Sequence, residues 1–231
     1  MARPGFRKSA PVSFGSIAAR PPLCAPGQRI GLLGGSFNPP HAAHVMISET
    51  ALKRLGLDTV WWIVTPGNPL KDHDDLEQQE ARIAASVAIV GRRPIRITGF
   101  ESALPSAYTA ATLDFLRRRY PRVRFVWLMG ADNLRNFHRW QDWRGIAQSV
   151  PIAIIDRPTH RFRALASPAA GALRAHFVPE RTARALAVQT PPAWTFLTGR
   201  LSPLSSTMIR KAERRGGRAD AARNSSHDDN N

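Results

Sequence analysis

The sequence is short of several things at once. It has one cysteine, Cys24, in 231 residues, so no disulfide can form within the chain, and a reducing compartment, the cytoplasm by default, is the expected setting. It lacks long apolar runs: stretches such as Val60 to Val64 and Phe125 to Met129 fall far below the ~18 to 20 residues a membrane span requires, so no segment is expected to cross a bilayer. Acidic residues are missing until Glu49, while Arg3, Arg7, Lys8, Arg20 and Arg29 precede it. That bias would also suit an organelle transit peptide, but Pro11 to Pro26 has no continuous apolar segment and its prolines oppose a long helix, so a disordered basic leader is expected instead. Lysine is scarce as well. Only four of the 33 cationic residues are lysines, which leaves coding bias and selection for bidentate phosphate contacts both open as explanations.

What is abundant is positive charge. The formal net charge is +16, of which residues 1–48 carry +5, residues 49–156 carry +3 and residues 157–231 carry +8, so the excess sits mostly outside the centre. Such a balance suits polyanions, whether nucleic acid, an anionic membrane or a nucleoside triphosphate, and does not choose among them. No RNA- or DNA-binding motif accompanies the charge, including at Arg117 to Arg119, so a nucleic-acid-binding protein stays the secondary reading.

With 43% apolar residues the chain can bury one sizeable core. The expected division is a basic, proline-rich disordered leader over 1–28, one folded domain over 29–215 and a disordered tail over 216–231 that ends in SSHDDNN. Within the domain, short apolar runs alternate with helical periodicity, the pattern of parallel strands joined by crossover helices. Strands are expected at Ile30–Leu33, Thr59–Thr65, Ile95–Thr98, Val123–Met129, Ile152–Asp156 and Trp194–Leu197. One helix should carry Leu76, Ile83, Val87 and Val90 and start at a capping box formed by Asp75 and Gln78. Another should run from Thr109 to Arg119, bury Leu113 and Leu116, and stop before Pro121. The expected fold class is α/β, a Rossmann-like doubly wound sheet, mostly parallel, with flanking helices.

The first strand is followed directly by Gly34-Gly35-Ser36-Phe37-Asn38-Pro39-Pro40-His41-Ala42-Ala43-His44, with Val45, Leu52 and Leu55 then at helical spacing. Paired glycines permit close approach of a ligand, and a helix N-terminus offers unpaired N–H groups and partial positive charge, so an anion is the expected ligand. Neither a G-x-G-x-x-G fingerprint nor a Walker loop is present. His41 and His44 lie three residues apart and can project from one face of the first helical turn. A cap or core role for one of them, or a shared zinc ion, would also fit histidines at this spacing, although no third ligand has motif spacing, so no metal-ligating residue is assigned.

These residues resemble the G-x-F-x-P-x-H-x-G-H signature of the nucleotidylyltransferase superfamily, matched by Gly35 through His44 with Ala43 in place of the last glycine. A second segment, Leu204-Ser205-Ser206-Thr207-Met208-Ile209-Arg210, is similar to that superfamily's I-S-S-T-x-I-R motif, with Leu204 for the first isoleucine. On residues alone, Ser206 and Thr207 could simply cap a helix, with Arg210 adding a charge that reaches phosphate. The middle of the chain, Thr65-Pro66-Gly67-Asn68-Pro69-Leu70-Lys71, Ser106-Ala107-Tyr108-Thr109, Trp127 to Leu134 and Phe137-His138-Arg139-Trp140, looks like the nicotinate mononucleotide adenylyltransferase branch.

The resemblance implies transfer of AMP from ATP to nicotinate mononucleotide, giving nicotinate adenine dinucleotide and pyrophosphate on the route to NAD. It implies that His41 and His44 bind the phosphates and stabilise charge at the α-phosphate, that Arg210 binds ATP and joins them as a catalytic residue, and that Gly34, Gly35, Ser36, Phe37, Gly130, Asp132, Ser206 and Thr207 complete the ATP site. It further implies that Asn38, Lys71, Thr109 and Trp140 hold the acceptor. Mg²⁺ is expected to travel with ATP, because Asp72, Asp74 and Asp75 read more simply as helix caps and dipole partners. The same chemistry on nicotinamide mononucleotide, phosphopantetheine or flavin mononucleotide is the nearest alternative. A surface lysine is the commoner fate for a residue such as Lys71, but its place just past a strand end favours phosphate contact, and either Trp140 or Trp143 could be the indole that stacks on the acceptor ring.

Overall fold

The structure is a computed structural model in which residues 19–66, 77–157 and 160–199 are described. Six strands, β1 (Arg29–Gly35), β2 (Thr59–Val64), β3 (Ile95–Thr98), β4 (Arg124–Gly130), β5 (Ile152–Ile155) and β6 (Trp194–Leu197), form one sheet in the order β3-β2-β1-β4-β5-β6. Every pairing is parallel. The connections therefore run outward in both directions from β1, and the order reverses between β1 and β4, where doubly wound sheets open a crevice at their strand C-termini.

The strands are continuous apolar runs because both faces of the sheet are covered. Trp61 and Trp62 are neighbours in β2 and point to opposite faces, each into its own core. On one face, α1 (Ala42–Leu55) and α2 (Gln79–Val90) contribute Val45, Ile47, Ala51, Leu55 and Val90. On the other, α3 (Thr109–Arg119), α4 (Ala131–Asn136) and α5 (Trp143–Ser149) contribute Leu113, Leu116, Leu134 and Ile146. Gly56, at φ 62°, ends α1 in the left-handed conformation that a glycine adopts without Cβ strain, and Lys53 and Arg54 lie in the last turn, where the helix dipole favours cations.

The expected strands and observed strands agree to within two residues at each end, and β3 and β6 agree at both ends. The first strand is longer than expected. Gly34 and Gly35 belong to β1 and pair with Ile63 and Val64, so the turn begins at Ser36 and not at the glycines. Gly34 is required by packing: a Cβ there would sit 2.7 Å from the Trp127 indole.

Helix α2 departs from expectation at both its start and its face. It begins after Gln78, which makes no side-chain cap, and Asp75 lies outside the described residues. Val87, expected inside, is 56% exposed, and the buried residues are Arg82, Ser86 and Val90. A sequence reading that assigns arginine to solvent places the buried face wrongly when an arginine is the residue that turns inward. Residues 19–28, expected in the leader, touch the domain: Thr98 Oγ1 donates to the Arg20 carbonyl at 2.7 Å, and the Gly27 N–H donates to the Arg122 carbonyl at 2.7 Å.

Candidate functional site

Because all strands are parallel, their C-terminal ends share one edge, and the loops that leave them bring the candidate residues to that edge. After β1 the chain turns through Phe37, a non-glycine residue at φ 46°, and a cis Asn38-Pro39 bond. Phe37 is 1% exposed, and its ring stacks on Trp62 with centroids 4.8 Å apart and tilts against His44 at 4.7 Å. The ring is thus a core anchor, and only the Phe37 backbone is left to meet a nucleotide.

His41 is the N-cap of α1, in extended conformation, and the helix carries no acid in its first turn that would offset its positive end. The His41 and His44 rings stack 3.9 Å apart. The His41 backbone N–H donates to Nδ1 of His44 at 3.3 Å, which makes that nitrogen an acceptor and leaves the proton of a neutral ring on Nε2. His44 is held from behind as well: Trp62 Nε1 donates to Ser48 Oγ at 2.7 Å, and that hydroxyl donates to the His44 carbonyl at 3.0 Å. Ala43, which replaces the glycine of the motif, is buried, so its methyl faces protein and not an open cleft.

Burial pulls the His41 pKa down to about 4, with a further push from the positive charge of Arg157. Burial takes His44 well below the usual histidine range, and His41 and Arg157 add to the effect. Both rings are therefore uncharged near neutral pH, and each offers one N–H. Among the described residues, Nδ1 of His41 is buried without a hydrogen-bond partner.

Arg157, two residues past the end of β5, is the residue the sequence reading missed. Its side chain is 14% exposed and pairs with Asp132 at 3.3 Å, while the adjacent Asp156 is buried and takes Arg161 at 2.8 Å. Gly130 sits against the same pair: a Cβ there would overlap the Asp132 carboxylate and lie 3.0 Å from Nε of Arg157. Ligands bind at the C-terminal ends of parallel strands, and that rule, which selects Gly130 and Asp132 at the end of β4, selects Arg157 when it is applied to β5.

On the other side of β1, Asn38 is buried, and Thr109 is the first residue of α3, whose first turn also lacks an acid. Trp140 packs edge-on against Trp127 and Phe137, and through Trp127 it reaches the end of β1 at Gly34. Trp143 is half-buried too, but its ring faces Phe137 and carries the Arg144 guanidinium at 4.5 Å. A second missed group is Glu101, 5% exposed, which accepts from Thr112 Oγ1 at 2.6 Å; burial raises its pKa to about 7, against the pull of hydrogen bonds from Thr112 and Thr65.

The structure thus gathers His41, His44, Gly130 and Asp132 around Arg157, with Gly35 at the end of β1 and Ser36 and Asn38 on the turn that follows it. Lys71, Ser206, Thr207 and Arg210 lie outside the described residues. Among the described residues no three histidine, cysteine or carboxylate side chains converge to hold a metal ion, and no helix is long and apolar enough to cross a membrane.

Residues 32–212 match the cytidylyltransferase-like family. The "probable nicotinate-nucleotide adenylyltransferase" of Rhizobium meliloti (strain 1021) is 54% identical over 184 residues, which span 80% of this chain and 98% of that protein. The protein of that description from Bradyrhizobium sp. (strain ORS 278) is 56% identical over 185 residues, 80% of this chain and 96% of that one. The fold is similar to that of Plasmodium falciparum nicotinic acid mononucleotide adenylyltransferase complexed with NaAD, with a TM-score of 0.61 at 18% identity over 80% of this chain and 83% of that one. The chain belongs to the nicotinate-nucleotide adenylyltransferase family, within the cytidylyltransferase-like proteins.

Proposed function

We propose that this chain is a nucleotidyltransferase that moves AMP from ATP to nicotinate mononucleotide, releasing pyrophosphate and forming nicotinate adenine dinucleotide. Near-full-length relatives above 50% identity support the activity. The observation that carries the chemistry is the stacked, uncharged pair His41 and His44 at the positive end of α1, beside Arg157.

A phosphate oxygen of the acceptor is already anionic, so the reaction needs little general-base help. That oxygen forms a bond to the α-phosphorus of ATP as the bond from this phosphorus to pyrophosphate breaks. Charge rises on the leaving oxygens, and donors fixed in advance stabilise it most effectively. His44 Nε2–H is such a donor, fixed because the His41 backbone N–H donates to Nδ1 of the ring. Arg157, partly offset by Asp132, adds positive charge, and the free N–H groups of α1 add partial charge. Neutral rings suit the task because they enter the site without repelling Arg157.

Phosphates suit this donor set better than a bare divalent cation would, so Mg²⁺ is assigned to the triphosphate oxygens, where it would offset the charge of the departing pyrophosphate. Asn38, Thr109 and Trp140 are assigned to the acceptor, with Lys71 beside them in the β2 loop; Ser206, Thr207 and Arg210 are assigned to ATP. The cytoplasm is the proposed setting, in keeping with a single cysteine.

The test is pyrophosphate release from ATP and Mg²⁺ by the purified protein with nicotinate mononucleotide, its amide analogue or phosphopantetheine. Release with the nicotinate form alone, or far faster with it, is expected. Release with phosphopantetheine alone would keep the chemistry and overturn the acceptor.

A further inference from the structure

The most deeply buried cation in the described fold is not among the residues assigned to either substrate. Arg82, on α2, is 0% exposed, and its guanidinium donates to backbone carbonyls on separate segments. One nitrogen, Nη1, reaches the carbonyls of Ser36 at 2.6 Å and Thr65 at 2.9 Å. The others reach Pro66 at 3.3 Å and Glu77 at 2.8 Å. Ser36 opens the turn that leads to Asn38, His41 and His44; Thr65 and Pro66 open the loop that leaves β2 and contains Lys71 in sequence. From the same helix, Gln79 Nε2 donates to the Val64 carbonyl at 2.6 Å, which fixes the last residue of β2.

We propose that Arg82 is a positioning residue for AMP transfer: its guanidinium ties the loop after β1, which leads to Asn38 and to the phosphate-binding His41 and His44, to the start of the loop after β2, which is assigned to the acceptor, and so sets the distance between the two reacting phosphates. This rests on the assignment of those loops to the two substrates. A guanidinium suits the task because its planar fork points several donors in fixed directions, whereas a lysine ammonium on a flexible stem does not. Burial sharpens the demand, since carbonyls that lose their donor inside the fold have no water to turn to. In-line displacement punishes misplacement severely: a shift of about 1 Å can cost about 100-fold in rate without either substrate binding less tightly.

The experiment compares Arg82→Met, Arg82→Lys and Val90→Ala in thermal melts and in steady-state pyrophosphate release, with ATP and nicotinate mononucleotide varied in turn. Val90 is buried on the same helix and touches neither loop through a side-chain donor, so it reports the effect of weakening α2 alone. The expected result for Arg82→Met is a kcat lower by about 100-fold with both Michaelis constants within about threefold of wild type. Arg82→Lys should recover only part of that loss, and Val90→Ala should stay within about twofold in kcat even where its melting temperature falls as far.

A folded Arg82→Lys or Arg82→Met protein with wild-type kcat overturns the proposal, as does a loss confined to one Michaelis constant or an equal kcat loss in Val90→Ala. Should Arg82→Met fail to fold, Arg82→Lys decides. His44→Ala in the same assay separates the two levels: full turnover in that variant would sink the site assignment itself, not the role of Arg82.

Discussion

The two loops that flank β1 and β2 handle polar groups in opposite ways. At the end of β1 the buried titratable groups, His41 and His44, are uncharged, held by backbone and ring contacts, and leave donors for a ligand. Across the end of β2, the buried groups are Arg82, satisfied by four carbonyls, and Glu101, satisfied by threonine hydroxyls. The first corner is built to receive charge and the second to hold its own. A corner with satisfied ions is stiff because each bond has no aqueous substitute, and a corner with unsatisfied donors is ready for a ligand because nothing inside the protein competes for them.

If that division is right, changes at the first corner should fall on rate and changes at the second on geometry or stability. The largest effect is expected from His44→Ala. Loss of one preorganised donor to the developing charge should lower kcat by roughly 100- to 1,000-fold, while the melting temperature changes far less than the rate. A folded His44→Ala protein with unchanged turnover would move the division elsewhere. Because His41 and His44 stack on each other, the double variant should lose less than the product of the single losses.

The next effect separates the corners by the sign of their pH dependence. His41 has a folded pKa below its ordinary value, so the stability it contributes is present above pH 6.5 and is lost as pH falls, the loss being complete below about pH 4. Glu101 runs the other way: its folded pKa is raised from 4.5 to about 7, so its contribution is present below pH 4.5 and is lost as pH rises through 7. Glu101→Gln should remove the second trend alone. Measured by denaturant melts between pH 5 and 8, the stability of the Gln variant relative to wild type should rise with pH by about 3 kcal/mol at most. A constant offset, whatever its size, would mean that Glu101 ionises no differently in the folded and unfolded chain.

The same comparison explains what could be read from the sequence. The β1 corner was legible because its residues lie within eleven consecutive positions, and its signals, strand, turn and helix start, are local. The parallel sense of the strands and the doubly wound class followed from apolar runs alternating with helical periods, whereas the order β3-β2-β1-β4-β5-β6 came from the fold. The β2 corner was illegible because its meaning is not local. Arg82 reaches Ser36, 46 positions away, and Glu101 meets Thr112 from a short 3₁₀ turn that periodicity does not reveal. Arg157 and Asp132 are likewise joined only by the adjacency of β4 and β5. The glycines show the limit in another form: in sequence Gly34 and Gly130 mark places where a nucleotide comes close, and in the fold each first makes room for a protein side chain, Trp127 in one case and the Asp132–Arg157 pair in the other.

The smallest effect tests the acceptor side, where an indole replaces charge as the means of recognition. Trp140 and Trp143 are both half-buried and both pack edge-on against Phe137, but Trp140 also leans on Trp127 beside the end of β1, whereas the ring of Trp143 carries the Arg144 guanidinium. A flat, electron-poor pyridine ring stacked on an indole gains about 0.5 to 1.5 kcal/mol beyond area burial, which corresponds to a change in affinity of about two- to tenfold. Trp140→Ala should therefore raise the Michaelis constant for nicotinate mononucleotide by that factor and leave that for ATP unchanged, and Trp143→Ala should move neither. Equal shifts for both substrates in Trp140→Ala would show the indole to be a prop for the shared wall at Trp127, and a shift for the acceptor in Trp143→Ala alone would transfer the stacking role to the other ring.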